Sequence, residues 1–196
     1  MARFWKSRIA KMVYIFCEWE TEEKYFKKLN SIFRTGIKTK IIDLKWWTEI
    51  QKHPEAIKRL IKWRLAHDNP HLWWIQVEGF VVFDLDIFSA TEINNTIREL
   101  KDYNVMVTNE VFEYWILSHF EKYNLPWWKN KYLWKIKSYI SIKNDKVTWN
   151  TDYQWLKKEN IELAIQHVKD VNVSHWNLKS RDPYSEVYKI IEFLEN

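Results

Sequence analysis

Gly79-Phe80-Val81-Val82-Phe83-Asp84-Leu85-Asp86 carries four apolar residues, without alternation, into an Asp-x-Asp. A continuous apolar run of this length predicts a strand buried on both faces, as in a parallel sheet covered by helices. The two aspartates then fall at the carboxyl end of the strand, where open α/β sheets place their chemistry. Two carboxylates one residue apart on a strand tip suit a hard divalent cation such as Mg²⁺. A strand followed by an Asp-rich turn accounts for the same residues. Residues 76–79 ahead of the apolar run read as a loop.

Working outward, Met12-Val13-Tyr14-Ile15-Phe16-Cys17 is a second continuous apolar run, read as the first strand, with Glu18 at its carboxyl end. Thr21 is the expected N-cap of the helix that follows. Glu22 and Glu23 favour the positive end of its dipole. Tyr25, Phe26, Leu29, Ile32 and Phe33 give its apolar stripe. Lys38 to Leu44 reads as a strand, residues 46–47 as a turn and His53 to Ala66 as a helix. Thr91 to Leu100 reads as a helix with Ile93, Ile97 and Leu100 on one face, and Asn104 to Thr108 as a short strand. Strand–helix alternation of this kind implies parallel pairing. Residues 108–120 read as a strand end, a turn and an amphipathic helix carrying Glu113 and His119. Lys129 to Lys146 is the most basic segment. Helices are expected over Asn160 to Lys169 and Ser185 to Leu194.

The 196 residues form one expected domain, with an α/β core over about 10–122 and a basic, helical C-terminal part over about 123–196. Hydrophobic residues make up 46%, enough for a sizeable core, yet no apolar run of about 18 residues would span a membrane. The basic stretch Met1 to Lys11 is not followed by an apolar segment of signal-peptide length. Cys17 is the single cysteine, so no disulfide or thiolate zinc site forms within the chain. A cytoplasmic protein is the simplest expectation. The net charge of +5 leans weakly toward an anionic partner such as nucleic acid.

One count is abnormal: 2 glycines against 14 tryptophans. Glycine at the usual frequency of about 7% would give roughly 14. Trp46-Trp47, Trp73-Trp74 and Trp127-Trp128 sit between expected elements, where turn residues belong. We infer that most of these tryptophans are glycines in the natural protein, as when UGA is read as glycine but translated as tryptophan. A chain that is Trp-rich in earnest, offering stacking platforms for bases, is the alternative.

Three pieces combine: Glu18 ending the first strand, Asp84 and Asp86 ending a later one, and an alternating α/β pattern. Together they resemble the topoisomerase–primase (Toprim) catalytic domain. More closely, most of the chain resembles the RloB-like family of restriction-operon and abortive-infection proteins. The family's opening pattern stands here as Ile15-Phe16-Cys17-Glu18-Trp19-Glu20-Thr21-Glu22-Glu23-Lys24-Tyr25-Phe26. Its apolar-apolar-Phe-Asp-x-Asp is Val81-Val82-Phe83-Asp84-Leu85-Asp86. Its Ser-Asn-Pro-x-Phe-Glu-x-Trp-x-x-x-His-Phe pattern is Thr108-Asn109-Glu110-Val111-Phe112-Glu113-Tyr114-Trp115-Ile116-Leu117-Ser118-His119-Phe120. A C-terminal Asn-Pro-Ser-Thr is degraded to Asp182-Pro183-Tyr184-Ser185. Trp19 stands where the family has glycine, Trp115 matches a family tryptophan, and Glu110 replaces a proline.

The resemblance implies a Toprim- or Rossmann-like, mostly parallel sheet flanked by helices, with a C-terminal helical extension. It implies a Mg²⁺- or Mn²⁺-dependent nuclease of phage defence, with nucleic acid as substrate and a defence-operon ATPase as a further partner. Asp84 and Asp86 would hold the metal, and Glu18 would complete the site or act as general acid or base. Glu113 would be a further ligand or would orient one. His119 would contact phosphate or brace its helix, and Lys129, Lys131, Lys135 and Lys137 would hold the substrate backbone. The alternative is a non-catalytic component that binds nucleic acid or the ATPase without cutting. A nucleotide-binding Rossmann enzyme lacks support, since neither a Gly-x-Gly-x-x-Gly nor a phosphate loop is present.

Overall fold

A computed structural model describes residues 11–33, 38–43, 54–68, 76–85, 90–109, 111–124, 129–140, 153–174 and 183–195. In chain order the elements are β1 (Lys11–Cys17), α1 (Glu20–Phe33), β2 (Lys38–Asp43), α2 (Pro54–Asp68), β3 (Gln76–Asp84) and α3 (Ala90–Glu99). They continue with β4 (Asn104–Asn109), α4 (Phe112–Leu117), α5 (Lys129–Tyr139), α6 (Lys158–Ser174), β5 (Tyr184–Ser185) and α7 (Val187–Glu195). The expected turn at 46–47, together with Asp86, Glu110, Lys143 and the three Trp-Trp pairs, lies outside the described residues.

The strands form one sheet in the order β2-β1-β3-β4-β5. The first four pair in parallel, and β3 is the central strand. The apolar runs lack alternation because both sheet faces are covered. Val13, Ile15 and Cys17 of β1 point to one side, with Phe80 and Val82 of β3 and Met106 of β4. There they meet Tyr25, Phe26 and Leu29 of α1, Trp115 of α4, Ile161 and Ala164 of α6, and Ile190 and Ile191 of α7. Met12, Tyr14, Phe16, Val81, Phe83 and Val107 point to the other side, against Ile57 and Ile61 of α2 and Ile93 and Leu100 beside α3. The two-residue period of a strand thus feeds two separate cores.

Four details differ from the sequence-based expectation. Residues 76–79 are not a loop but the first half of β3. They pair with β1 from Lys11↔Gln76 to Tyr14↔Gly79. Ile97 is 36% exposed, and Thr96 is buried in its place, so the inner face of α3 runs Ile93, Thr96 and Leu100. The final helix begins at Val187, not Ser185. Tyr184 and Ser185 instead form β5, antiparallel to the end of β4. The Asn172 side chain holds this short strand by donating to the Ser185 carbonyl at 2.8 Å and accepting from its amide at 3.3 Å. The helix after β4 is not amphipathic either: every residue from Val111 to His119 is buried.

Candidate functional site at the carboxyl edge of the sheet

Parallel pairing brings the carboxyl ends of β1, β3 and β4 to one edge. The order β2-β1-β3-β4 reverses between β1 and β3, because the chain moves outward to β2 and then crosses to β3. Crevices of open α/β sheets form at such a reversal. Glu18 follows the last residue of β1 and Asp84 ends β3, so both stand at this point. Glu18 is 3% exposed and Asp84 2% exposed.

A third carboxylate, absent from the sequence-based set, joins them. Glu22 lies in the first turn of α1 and is fully buried. Its Oε2 accepts the backbone N–H of Glu18 at 2.6 Å and that of Trp19 at 3.3 Å. This is the backward reach of a third-position glutamate to the start of its own helix. The expected cap, Thr21, is already inside the helix. The Trp19 carbonyl accepts the first helical bond, from the Glu23 amide at 3.1 Å. Glu22 Oε1 is buried and makes no hydrogen bond among the described residues. Burial, first, and then the negative charges of Asp84 and Glu18 push the Glu22 carboxyl well above its ordinary range, against the pull of the two amides. The signal was the four-residue spacing from Glu18 to Glu22, which carries a side chain back over the turn it has just left.

Asp84 accepts the Thr108 hydroxyl across the β3–β4 pair. Glu113, in the first turn of α4, is 6% exposed. Nearby, the Tyr153 hydroxyl donates to the Thr21 carbonyl at 3.1 Å. Burial raises the Tyr153 phenol well above its usual value, and Tyr25, Glu113 and Glu22 add to the shift. Glu18, Glu22 and Asp84 therefore stand together, and Glu113 is close enough to Tyr153 for its charge to act there. Among the described residues, no three His, Cys, Asp or Glu side chains already stand in an arrangement that would hold a metal ion.

His119 is not at this edge in a form that meets a ligand. It is fully buried. Its Nδ1 lies 2.9 Å from the Trp115 carbonyl, which only accepts, so Nδ1 carries the proton. Nε2 then accepts the Tyr25 hydroxyl at 3.1 Å. Burial, partly offset by backbone hydrogen bonds, brings the imidazole down to about 4, so it is neutral. With both ring nitrogens engaged and no exposed surface, His119 braces α4 against α1, and the phosphate contact expected of it has no atom to make it.

The basic segment is the helix α5, seated on α4 through Tyr132 against Tyr114, with ring centres 6.0 Å apart. Lys131 and Lys137 are exposed on its outer face, with Trp134 between them at 70% exposure. Lys135 instead pairs with Glu121 at 3.3 Å. The Lys129 side chain lies outside what the structure describes.

The chain matches the family of RloB-like proteins over residues 13–194. It belongs to the RloB-like family. The match begins within β1 and ends within α7, so it takes in all or most of every described strand and helix of this RloB-like chain. No curated protein and no solved structure matches the chain. No helix among the described residues is long and apolar enough to cross a membrane.

Proposed function

We propose that this RloB-like protein is a metal-dependent phosphoryl-transfer enzyme, a nuclease of the Toprim type acting in phage defence by abortive infection. The observation that carries this reading is the gathering of buried carboxylates at the β1–β3 crevice. Three buried carboxylates meet there, and Glu22 is forced toward its protonated form with one oxygen unbonded. A divalent cation would offset the repulsion among these carboxylates, and Mg²⁺ needs only one or two protein carboxylates, with water and substrate phosphate completing its shell. Glu18, Glu22 and Asp84 would hold it, joined by Asp86. When bound, such an ion stabilises charge on a phosphate and activates the attacking oxygen.

The chain's own groups account for the remainder. Glu18, held at the strand tip by its neighbours, is the proton acceptor or donor. Glu113, buried in the first turn of α4, would be a further ligand or would orient one. Lys131 and Lys137 on α5 give a positive surface for a nucleic-acid backbone, which Lys135, neutralised by Glu121, serves less well. An ATPase of the same defence system is the partner that family membership points to.

The absence of a preformed three-ligand cluster among the described residues favours a second reading, a component that binds nucleic acid or that ATPase without cutting. One experiment separates the two. The chain is incubated with single- and double-stranded DNA and RNA, in Mg²⁺, Mn²⁺ or EDTA, beside Glu18→Ala and an Asp84→Ala, Asp86→Ala variant. Metal-dependent cutting that disappears in both variants establishes the nuclease and names its substrate. Folded protein that binds nucleic acid and never cuts establishes the second reading.

A further inference from the structure

We propose that Thr108 is a positioning residue for Asp84, aiming its carboxylate at the cation; the inference rests on the metal-dependent reading above. Thr108 lies on β4 directly opposite Asp84 in the parallel register. It is fully buried. A buried hydroxyl must place its proton somewhere. This one donates to Asp84 Oδ1. The same residue grips the next peptide as well, because the Thr108 carbonyl accepts the Leu85 amide at 2.9 Å. Thr108 thus holds the Asp84 side chain with its own side chain and the chain leaving Asp84 with its backbone.

On its other side Thr108 pairs with Ser185 of β5, the strand held by Asn172. The donor is therefore fixed from both neighbouring strands. A hydroxyl bound to Oδ1 restricts rotation of the carboxylate at the strand tip. Donors to ligating carboxylates act in this way, and their removal typically costs 10- to 100-fold in metal affinity.

Valine is nearly isosteric with threonine and keeps the β-branch that suits a strand, so Thr108→Val removes the hydroxyl and little else. The test is titration of the full chain with Mn²⁺, counting free Mn²⁺ by electron paramagnetic resonance, for wild type, Thr108→Val, Thr108→Ala, Thr108→Ser and Asp84→Asn. The expected result is an affinity weakened roughly 10- to 100-fold in both Thr108→Val and Thr108→Ala, with recovery to near wild type in Thr108→Ser. Thr108→Ala serves as a second hydroxyl-free variant that does not depend on how valine packs. If the hydroxyl-free variants melt earlier but bind Mn²⁺ as wild type does, Thr108 is only structural and the proposal falls while the metal site stands. If Asp84→Asn itself binds Mn²⁺ as tightly as wild type, the metal-dependent reading fails, and this inference with it.

Discussion

Glu22 Oε2 lies 2.6 Å from the backbone nitrogen of Glu18, so one buried carboxylate both closes the β1–α1 turn and crowds a second. The two tasks oppose each other. The amide bonds stabilise the ionised form, while burial and the charges of Asp84 and Glu18 penalise it more. Glu22→Gln keeps an acceptor for the Glu18 amide and removes one negative charge. The metal-free variant is therefore expected to melt at a higher temperature than the wild type. The rise in melting temperature on adding Mn²⁺ is expected to shrink, and cleavage to fall by roughly 10- to 100-fold. Thermal melts with and without Mn²⁺ check both signs. A lower melting temperature without metal would show that the turn, not the charge, governs this residue.

His119 makes the fold sensitive to acid. In the unfolded chain its imidazole titrates near 6.5, while in the fold it titrates at about 4. The unfolded state therefore binds the extra proton first. The neutral buried form contributes its full stability above pH 6.5, and that contribution is lost as pH falls toward 4, by about 3 kcal/mol in total. Tyr25 from α1 donates to the same ring, and His167 from α6 adds electrostatically to the downward shift. Urea denaturation at pH 7.5 and pH 5 is expected to show a smaller difference for His119→Gln than for the wild type. Equal differences would mean that His119 charges freely in the fold.

Gly79 is required by a close approach. A Cβ built there lies 2.9 Å from Cδ1 of Tyr103, whose ring covers the middle of β3 from the turn before β4. Gly79→Ala forces the ring or the strand to move, at an expected cost of about 1–3 kcal/mol. Replacing Tyr103 with leucine in the same chain is expected to recover most of that loss. Denaturant midpoints of the two single variants and the double variant test the coupling, and additive losses would show that the two residues do not meet.

The central strand, its neighbours and the buried Glu18 and Asp84 were legible because a strand covered on both faces needs an unbroken apolar run, and the polar residue that ends such a run marks the sheet edge. Residues 76–79 hid the first half of β3, since glutamine, glutamate and glycine look like loop residues when the packed tyrosine that requires the glycine is 24 positions away. β5 was invisible because two residues carry no periodicity; its pairing depends on Asn172, which is distant in sequence. The bracing role of His119, one of the two expected for it, and the inward placement of Glu22 share a cause. Which way a polar side chain on a helix points depends on what packs around the helix. Around α4 that surface is apolar on all sides, so its histidine faces inward. Around the start of α1 the strand tip stands close enough to draw Glu22 back under the turn.

Trp115 and Trp19 differ sharply in burial, and the difference makes a last prediction. Trp115 is fully buried, and its ring packs edge-on against Tyr25 and His119 with centres 6.3 and 5.0 Å apart. Trp19, by contrast, is 39% exposed at the turn between Glu18 and α1, where it acts as the helix N-cap residue. Glycine is well tolerated at that position and gives a ligand closer access to the backbone. Trp19→Gly is therefore expected to leave stability within about 1 kcal/mol of the written chain and to strengthen nucleic-acid binding beside Glu18. Trp115→Gly is expected to cost at least about 3–5 kcal/mol, the range for truncating a buried aromatic residue, and to leave little folded protein. Mass spectrometry of the protein from its natural source is expected to find glycine at position 19 and tryptophan at position 115. Tryptophan at position 19 would overturn the recoding inference at the position nearest the site.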